Sequence, residues 1–195
     1  MNPVDEAIQK KFDFRGRHRN LPWYPRKGTR KHLADLLGEI GLNEGAEIGT
    51  CYGEFAEILC LANPNLHLTC VDPWMQYHGG SKARVEHTFD VAKVRLAKYN
   101  VTFCRKPSLG AAPEFTDGSL DFVYIDGDHL FDMVIRDIIA WVPKVRKDGL
   151  VMLHDYHSQC GADVMMAINA YTHCHGITPW YVTREELPTA FWVQR

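Results

Sequence analysis

The sequence predicts an α/β fold, a Rossmann-like three-layer sandwich around a mostly parallel seven-stranded sheet that ends in an antiparallel hairpin. Three observations predict it. Short apolar runs alternate with stretches of helical periodicity from residue 30 onward. The central runs, such as Phe122 to Ile125 and Leu150 to Leu153, are apolar throughout, as expected of parallel strands covered on both faces. The last two runs, Ile177 to Val182 and Ala190 to Val193, are joined only by Thr183 to Thr189, which is too short for a crossover helix.

Leu33, Leu36, Leu37 and Ile40 recur at helical spacing before Gly41, so a helix precedes the first strand, Gly45 to Ile48. A helix carrying Phe55, Ile58, Leu59 and Ala62 runs to Pro64, and Leu66 to Val71 form strand two, which completes a βαβ unit. Residues 75 to 99 open with a Gly79-Gly80 loop and continue as a helix through Val85, Phe89, Ala92, Leu96 and Tyr99. Strand three is Val101 to Cys104, and strand four is Asp121 to Ile125. Phe131, Val134, Ile135, Ile138 and Val142 mark the next helix. Pro143 with Asp148-Gly149 then marks a turn into strand five, Leu150 to Leu153. A last helix near Asp163 to Tyr171 leads to the hairpin.

A chain of 195 residues suits one core, with residues 1 to 31 as a basic N-terminal arm and 32 to 195 as the catalytic domain. Between Lys10 and Lys31 stand nine Lys or Arg against Asp13 alone. That local +8 leaves −10 for the rest of a chain whose net charge is −2. Interleaved with Phe12, Phe14, Trp23 and Tyr24, this arm suits folding back over the site or onto a partner subunit, as in a homodimer, better than nucleic-acid binding. No apolar run approaches the roughly 18 residues of a membrane span, and the N-terminus lacks a secretory pattern, so a cytoplasmic location is expected. The six cysteines, without a C-x-x-C pair, are expected as reduced thiols.

The stretch Glu47-Ile48-Gly49-Thr50-Cys51-Tyr52-Gly53 closes a strand and opens a helix, yet it lacks the G-x-G-x-x-G spacing that admits a pyrophosphate. Glu47 ends strand one and Asp72 ends strand two, 25 residues later, where carboxylates suit ribose hydroxyls and a positive charge. A nicotinamide-dependent oxidoreductase is the first alternative, and the glycine spacing speaks against it. Asp126, Asp128 and His129 crowd the end of strand four, and His154 with Asp155 crowd the end of strand five. An imidazole there suits general-base chemistry near neutrality. A zinc site from His154, His157 and Cys160, or from His173-Cys174-His175, matches no known finger spacing.

The segments Glu47 to Gly53, Cys70-Val71-Asp72-Pro73-Trp74, Tyr124-Ile125-Asp126-Gly127-Asp128-His129 and Gly149 to Tyr156 together make the sequence similar to the class I S-adenosylmethionine-dependent methyltransferases, and within them to methyltransferase domain family 24. The resemblance covers roughly residues 30 to 195. It implies S-adenosylmethionine as cofactor and transfer of a methyl group to a hydroxyl, or an amine, of a small molecule or sugar. It further implies that Gly49, Thr50 and Gly53 meet the methionine part, with Cys51 replacing a common glycine. Asp72 is implied at the ribose, Pro73 and Trp74 along the adenine face, and Ser108 near the adenine amino group. Asp126 borders the cofactor, and His129, ahead of His154, is the candidate base. In metal-dependent members, acids at the Asp126 and Asp155 positions bind Mg2+, but Tyr156 stands here where those members have asparagine.

Overall fold

The computed structural model describes residues 2–14, 22–75, 82–157 and 162–195. The expected Gly79-Gly80 loop, Cys160 and the arginine-rich middle of the arm, residues 15–21, lie outside the described residues. Two helices, α1 (Pro3–Phe12) and α2 (Arg30–Glu39), precede β1 (Glu44–Ile48), α3 (Glu54–Ala62), β2 (His67–Val71) and α4 (Lys82–Leu96). Then come β3 (Val101–Cys104), the short α5 (Ser108–Ala111), β4 (Leu120–Ile125), α6 (Phe131–Trp141), β5 (Val145–Leu153), α7 (Ala162–Cys174), β6 (Trp180–Val182) and β7 (Ala190–Val193).

The seven strands form one sheet in the order β3-β2-β1-β4-β5-β7-β6. β1 to β5 pair in parallel, and β7 runs antiparallel to both β5 and β6, so the sheet closes with the expected hairpin. Alternate strand residues feed two cores. Leu68, Cys70, Phe122, Tyr124, Leu150 and Met152 pack against α1 to α4, while Ala46, Ile48, Val71, Val123, Ile125 and Val151 face α6 and α7. Among the described residues no helix is long and apolar enough to cross a membrane.

Two parts of the fold depart from expectation. The first third of the arm is helix α1, with Ile8 and Phe12 fully buried and the Phe12 ring 5.4 Å from that of Phe191 in β7. Asn2 caps it by accepting the Asp5 amide at 2.8 Å. Its apolar residues are spaced four apart among charged ones, so the local charge hides a buried face. The second departure is at Asp148-Gly149, which lies inside β5 rather than in a turn before it. The register with β4 shifts between Leu120 and Phe122. Asp148 has φ 63, and a side chain on Gly149 would come within 2.4 Å of the Asp121 carbonyl, so the pair forms an irregularity in the strand that sequence reads as a turn.

Because Phe12 is part of the core, Phe12→Ala should lower unfolding free energy by about 3–5 kcal/mol in denaturant titration. A cost below about 1 kcal/mol would mean that α1 does not pack as described.

Candidate active site

Parallel pairing brings the carboxyl ends of β1, β2, β4 and β5 to one edge of the sheet, where ligands bind in doubly wound folds. The β1 loop packs hard against the β4 tip. Gly49 has φ 90, and a Cβ there would lie 2.0 Å from the Asp126 carbonyl, while the Asp126 amide donates to the Ile48 carbonyl at 2.8 Å. Only glycine fits that approach. Gly53 follows as the left-handed cap that opens α3.

Glu47 ends β1 almost wholly buried, at 2% exposure, and its Oε2 has no hydrogen-bond partner among the described residues. Burial raises its pKa to about 8, reinforced by Asp126 and Asp72 and countered by nearby Thr50 and Arg30. An unpaired buried carboxyl oxygen is the feature a cationic ligand group would satisfy. The Thr50 hydroxyl, expected at the cofactor, donates to the Glu47 carbonyl at 3.4 Å.

At the β2 tip, Asp72 Oδ2 accepts the Cys51 amide at 2.9 Å and Oδ1 accepts the Trp74 amide at 2.7 Å. Burial raises this carboxyl, and the two amides oppose that. Each oxygen keeps a lone pair for a ligand hydroxyl. Pro73 is partly exposed beside it. Trp74, expected along the adenine face, points into the core. Its ring is 3% exposed, packs on Phe89 and Phe103 at 4.7 and 5.8 Å, and donates its Nε1–H to the Cys51 carbonyl. It braces the glycine loop from the core side. Ser108 begins α5 just beyond β3, and its hydroxyl is engaged by Asp137 and Trp141.

The ends of β4 and β5 bring together Asp126, His129, His154 and Asp155. His129 Nε2 lies 3.0 Å from Asp155 Oδ2, and half of its side chain is exposed. The Asp155 hydrogen bond raises the His129 pKa against the lowering effect of burial. The same bonds from His129 and His154 hold the Asp155 carboxyl well below the usual carboxylate range. His154 is buried, with Nδ1 3.4 Å from Asp126 and 3.2 Å from Asp155, and with Nε2 3.2 Å from an Arg30 guanidinium nitrogen. Burial lowers its pKa, but the two carboxylates outweigh burial and push it up to about 9. Arg30 acts in the other direction, because a second proton on Nε2 would point an N–H at the guanidinium. The contact geometry places a ring proton on Nδ1, facing the two carboxylates. Tyr156 is buried, donates to Asn169 Oδ1 at 3.0 Å and stands edge-on to Trp180. His173 and His175 are exposed at the far end of α7, away from His157.

Sequence reasoning missed Arg30, which it counted only as one charge of the arm. It opens α2, donates its amide to Glu185 Oε1 at 2.6 Å and lays its guanidinium over Phe55, 5.2 Å from the ring centre. It also lies beside the buried hydroxyl of Tyr124. No local motif announces such a residue, because its partners come from β4, β5 and α3.

Residues 46–156 match the family model described as a methyltransferase domain. The chain belongs to this family. This methyltransferase is 18% identical to cofactor-bound Rv0187 from MTB, with a TM-score of 0.64 over 100% of this chain and 91% of the other. It is 17% identical to the O-methyltransferase TomG of Streptomyces achromogenes, involved in tomaymycin synthesis and solved with SAM, with a TM-score of 0.60 over 100% and 91% of the two chains. At such identities the likeness is one of fold. Protein y4gI of Sinorhizobium fredii is 27% identical over 115 residues, 56% of this chain, and the methyltransferase spans only 12% of that relative's length. Membership of a methyltransferase domain family points away from the nicotinamide chemistry that the glycine spacing already disfavoured.

The raised Glu47 pKa makes stability depend on pH. The unfolded carboxyl titrates near 4.5 and the folded one near 8, so the folded state holds the extra proton. Its contribution is full below pH 4.5 and is lost as pH rises through 8. Glu47→Gln should flatten this slope and be more stable than the parent at pH 9 by roughly 2–4 kcal/mol, with a smaller difference at pH 5. Equal slopes in denaturant titrations of the two proteins would contradict the buried, unpaired state of Glu47.

Proposed function

We propose that this methyltransferase carries a methyl group from S-adenosylmethionine to a hydroxyl, or an amine, of a small molecule or sugar, with His129 as the general base. One observation carries the choice of base. Asp155 binds His129 through Nε2 at 3.0 Å, and the half-exposed ring is left to present its Nδ1 edge to an acceptor. His154, by contrast, has both ring nitrogens occupied inside the protein.

The residues at the strand tips fit the cofactor. Glu47 Oε2, buried and unpaired, would accept from the ammonium group of the methionine part. The free lone pairs of Asp72 would take the ribose hydroxyls. The backbone N–H groups that open α3 beyond Gly53 would meet the carboxylate, and Gly49 with Asp126 would shape the floor between them. When bound, S-adenosylmethionine supplies an electrophilic methyl on a cationic sulfur. The protein's part is to hold the acceptor in line and to remove its proton. His129 takes that proton on Nδ1 while Nε2–H stays bonded to Asp155, whose carboxylate stabilises the resulting imidazolium.

A metal-assisted version asks Asp126 and Asp155 for oxygen ligands. Asp126, His154 and Asp155 each place one donor atom within 4.8 Å of the others. Both Asp155 oxygens, however, hold histidines, and the Tyr156 hydroxyl is turned to Asn169. Magnesium needs free carboxylate oxygens in near-ideal octahedral geometry, and Asp155 has both of its oxygens engaged by histidines. These residues do not fit it, and no step is routed through it.

His129→Ala should lower kcat by about 10²- to 10⁴-fold while the dissociation constant of S-adenosylhomocysteine stays nearly constant. Because the base must be neutral, kcat/KM should rise with pH through a value above the ordinary imidazole range. Asp155→Asn should move that limb to lower pH, and a limb unmoved in that variant would exclude the pair. Activity should survive EDTA without stimulation by magnesium; loss with EDTA and recovery with magnesium would restore the metal-assisted reading.

A further inference from the structure

The loop from Thr183 to Thr189 emerges at the carboxyl edge of the sheet. Antiparallel pairing sets Ala190 opposite both Leu153 and Val182, so this hairpin loop stands beside the tip of β5. Residues 24–31 run along it, since the Arg184 amide donates to the Gly28 carbonyl at 2.7 Å and the Arg30 amide to Glu185 Oε1 at 2.6 Å. The two segments make one wall, joined to the β5 tip by the Tyr156 amide, which donates to the Pro188 carbonyl at 2.9 Å. The charge of this wall is opposite to that of the strand tips. Arg26, Lys27, Arg30, Lys31 and Arg184 stand on it against Glu185 and Glu186.

Arg30 is the cation of this wall that reaches the candidate site. Its side chain is partly exposed, and the Phe55 ring holds the guanidinium flat. A guanidinium carries five N–H donors in a planar fork. Contacts with His154 Nε2 and the Tyr124 hydroxyl use two of them. Glu185 Oε1 is engaged by the Arg30 amide and the Thr183 hydroxyl, not by the guanidinium. Among the described residues the fork therefore keeps donors for a planar or tetrahedral anion, which it matches in shape. His154 also links Arg30 to the candidate base. Its Nε2 meets Arg30, its Nδ1 lies 3.2 Å from Asp155 Oδ1, and Asp155 Oδ2 lies 3.0 Å from His129 Nε2. A small molecule can thus hold Arg30 at one end and bring a hydroxyl to His129 at the other.

We infer that Arg30 anchors an anionic group, a carboxylate or a phosphate, on the methyl acceptor, so that the site selects charged over neutral acceptors. Arg26, Lys27 and Arg184, all exposed on the same wall, add a field that favours the same charge. This inference rests on the donor site and the base proposed above. A charged acceptor gains charge-assisted hydrogen bonds from the fork, whereas a neutral one of the same shape leaves those donors to water.

The test is calorimetric titration of benzoate, phenyl phosphate and neutral benzamide into the full chain saturated with S-adenosylhomocysteine. At least one anion should bind about tenfold or more tighter than benzamide, and the tighter of the two names the group as carboxylate or phosphate. Arg30→Met should bring that preference to within about threefold, while the dissociation constant of S-adenosylhomocysteine changes by less than about threefold. If Arg30→Met does not fold, as judged by its melting temperature, Arg30→Lys takes its place. That variant keeps the charge and loses the fork, so anion affinity should fall by about threefold or more, and unchanged affinity contradicts the inference. Neither anion preferred over benzamide, or a preference that Arg30→Met retains, overturns the inference alone. So does an Arg30→Met that binds S-adenosylhomocysteine about tenfold more weakly, which would assign the guanidinium to the donor. Failure of the wild type to bind S-adenosylhomocysteine overturns the donor site and this inference together.

Discussion

Parallel strand pairing forces carboxyl groups together at one edge of this sheet, and the surrounding structure is arranged to tolerate them. Glu47, Asp72, Asp126 and Asp155 all stand at carboxyl ends of strands, along the contiguous run β2-β1-β4-β5. Each is handled differently. Asp72 is held by two backbone amides, and Asp155 by two histidines. Asp126 faces the Nδ1 of His154. Glu47 alone is buried with an oxygen unsatisfied, and its raised pKa expresses the cost of charging it there. A cofactor that carries an ammonium group and a cationic sulfur completes this charge balance.

Arg30 ties the balance to the N-terminal part of the chain. Its guanidinium meets His154 at one side and Phe55 at the other, and its amide is fixed by Glu185 in the loop between β6 and β7. Trp23 pairs with the outer strand of the same hairpin, accepting and donating backbone bonds with Val182 and Trp180. The segment before α2 is therefore stitched to the outer, hairpin side of the sheet. Tyr156 closes the same side from within, its phenol bonded to Asn169 and its ring packed edge-on against Trp180. The reading proposed above gives acid–base chemistry to the His129–Asp155 pair, which faces this side.

Much of this was legible in the residues. The strands are short apolar runs whose length and spacing are set by burial on both faces, and the strand-tip acids follow each run directly. The short link between Val182 and Ala190 gives the hairpin away. Side-chain direction was harder to read. Trp74 and Ser108 follow their strands in the right places, yet Trp74 turns into an aromatic core with Phe89 and Phe103, and the Ser108 hydroxyl is claimed by α6. Those outcomes depend on partners 15 to 33 residues away, which no local pattern contains. The same holds for Arg30. Helix α1 was hidden for another reason: its buried stripe is narrow, Ile8 and Phe12 standing four apart among charged residues just ahead of the basic stretch.

The most direct test of the central claim is the proton balance of S-adenosylhomocysteine binding at pH 7, from calorimetry in two buffers of different ionisation enthalpy. With Glu47 protonated near neutrality in the free protein, pairing with the ligand's ammonium group should release close to one proton per ligand bound, and Glu47→Gln should abolish that release. Binding without proton release, or an equal release in the variant, would contradict the account.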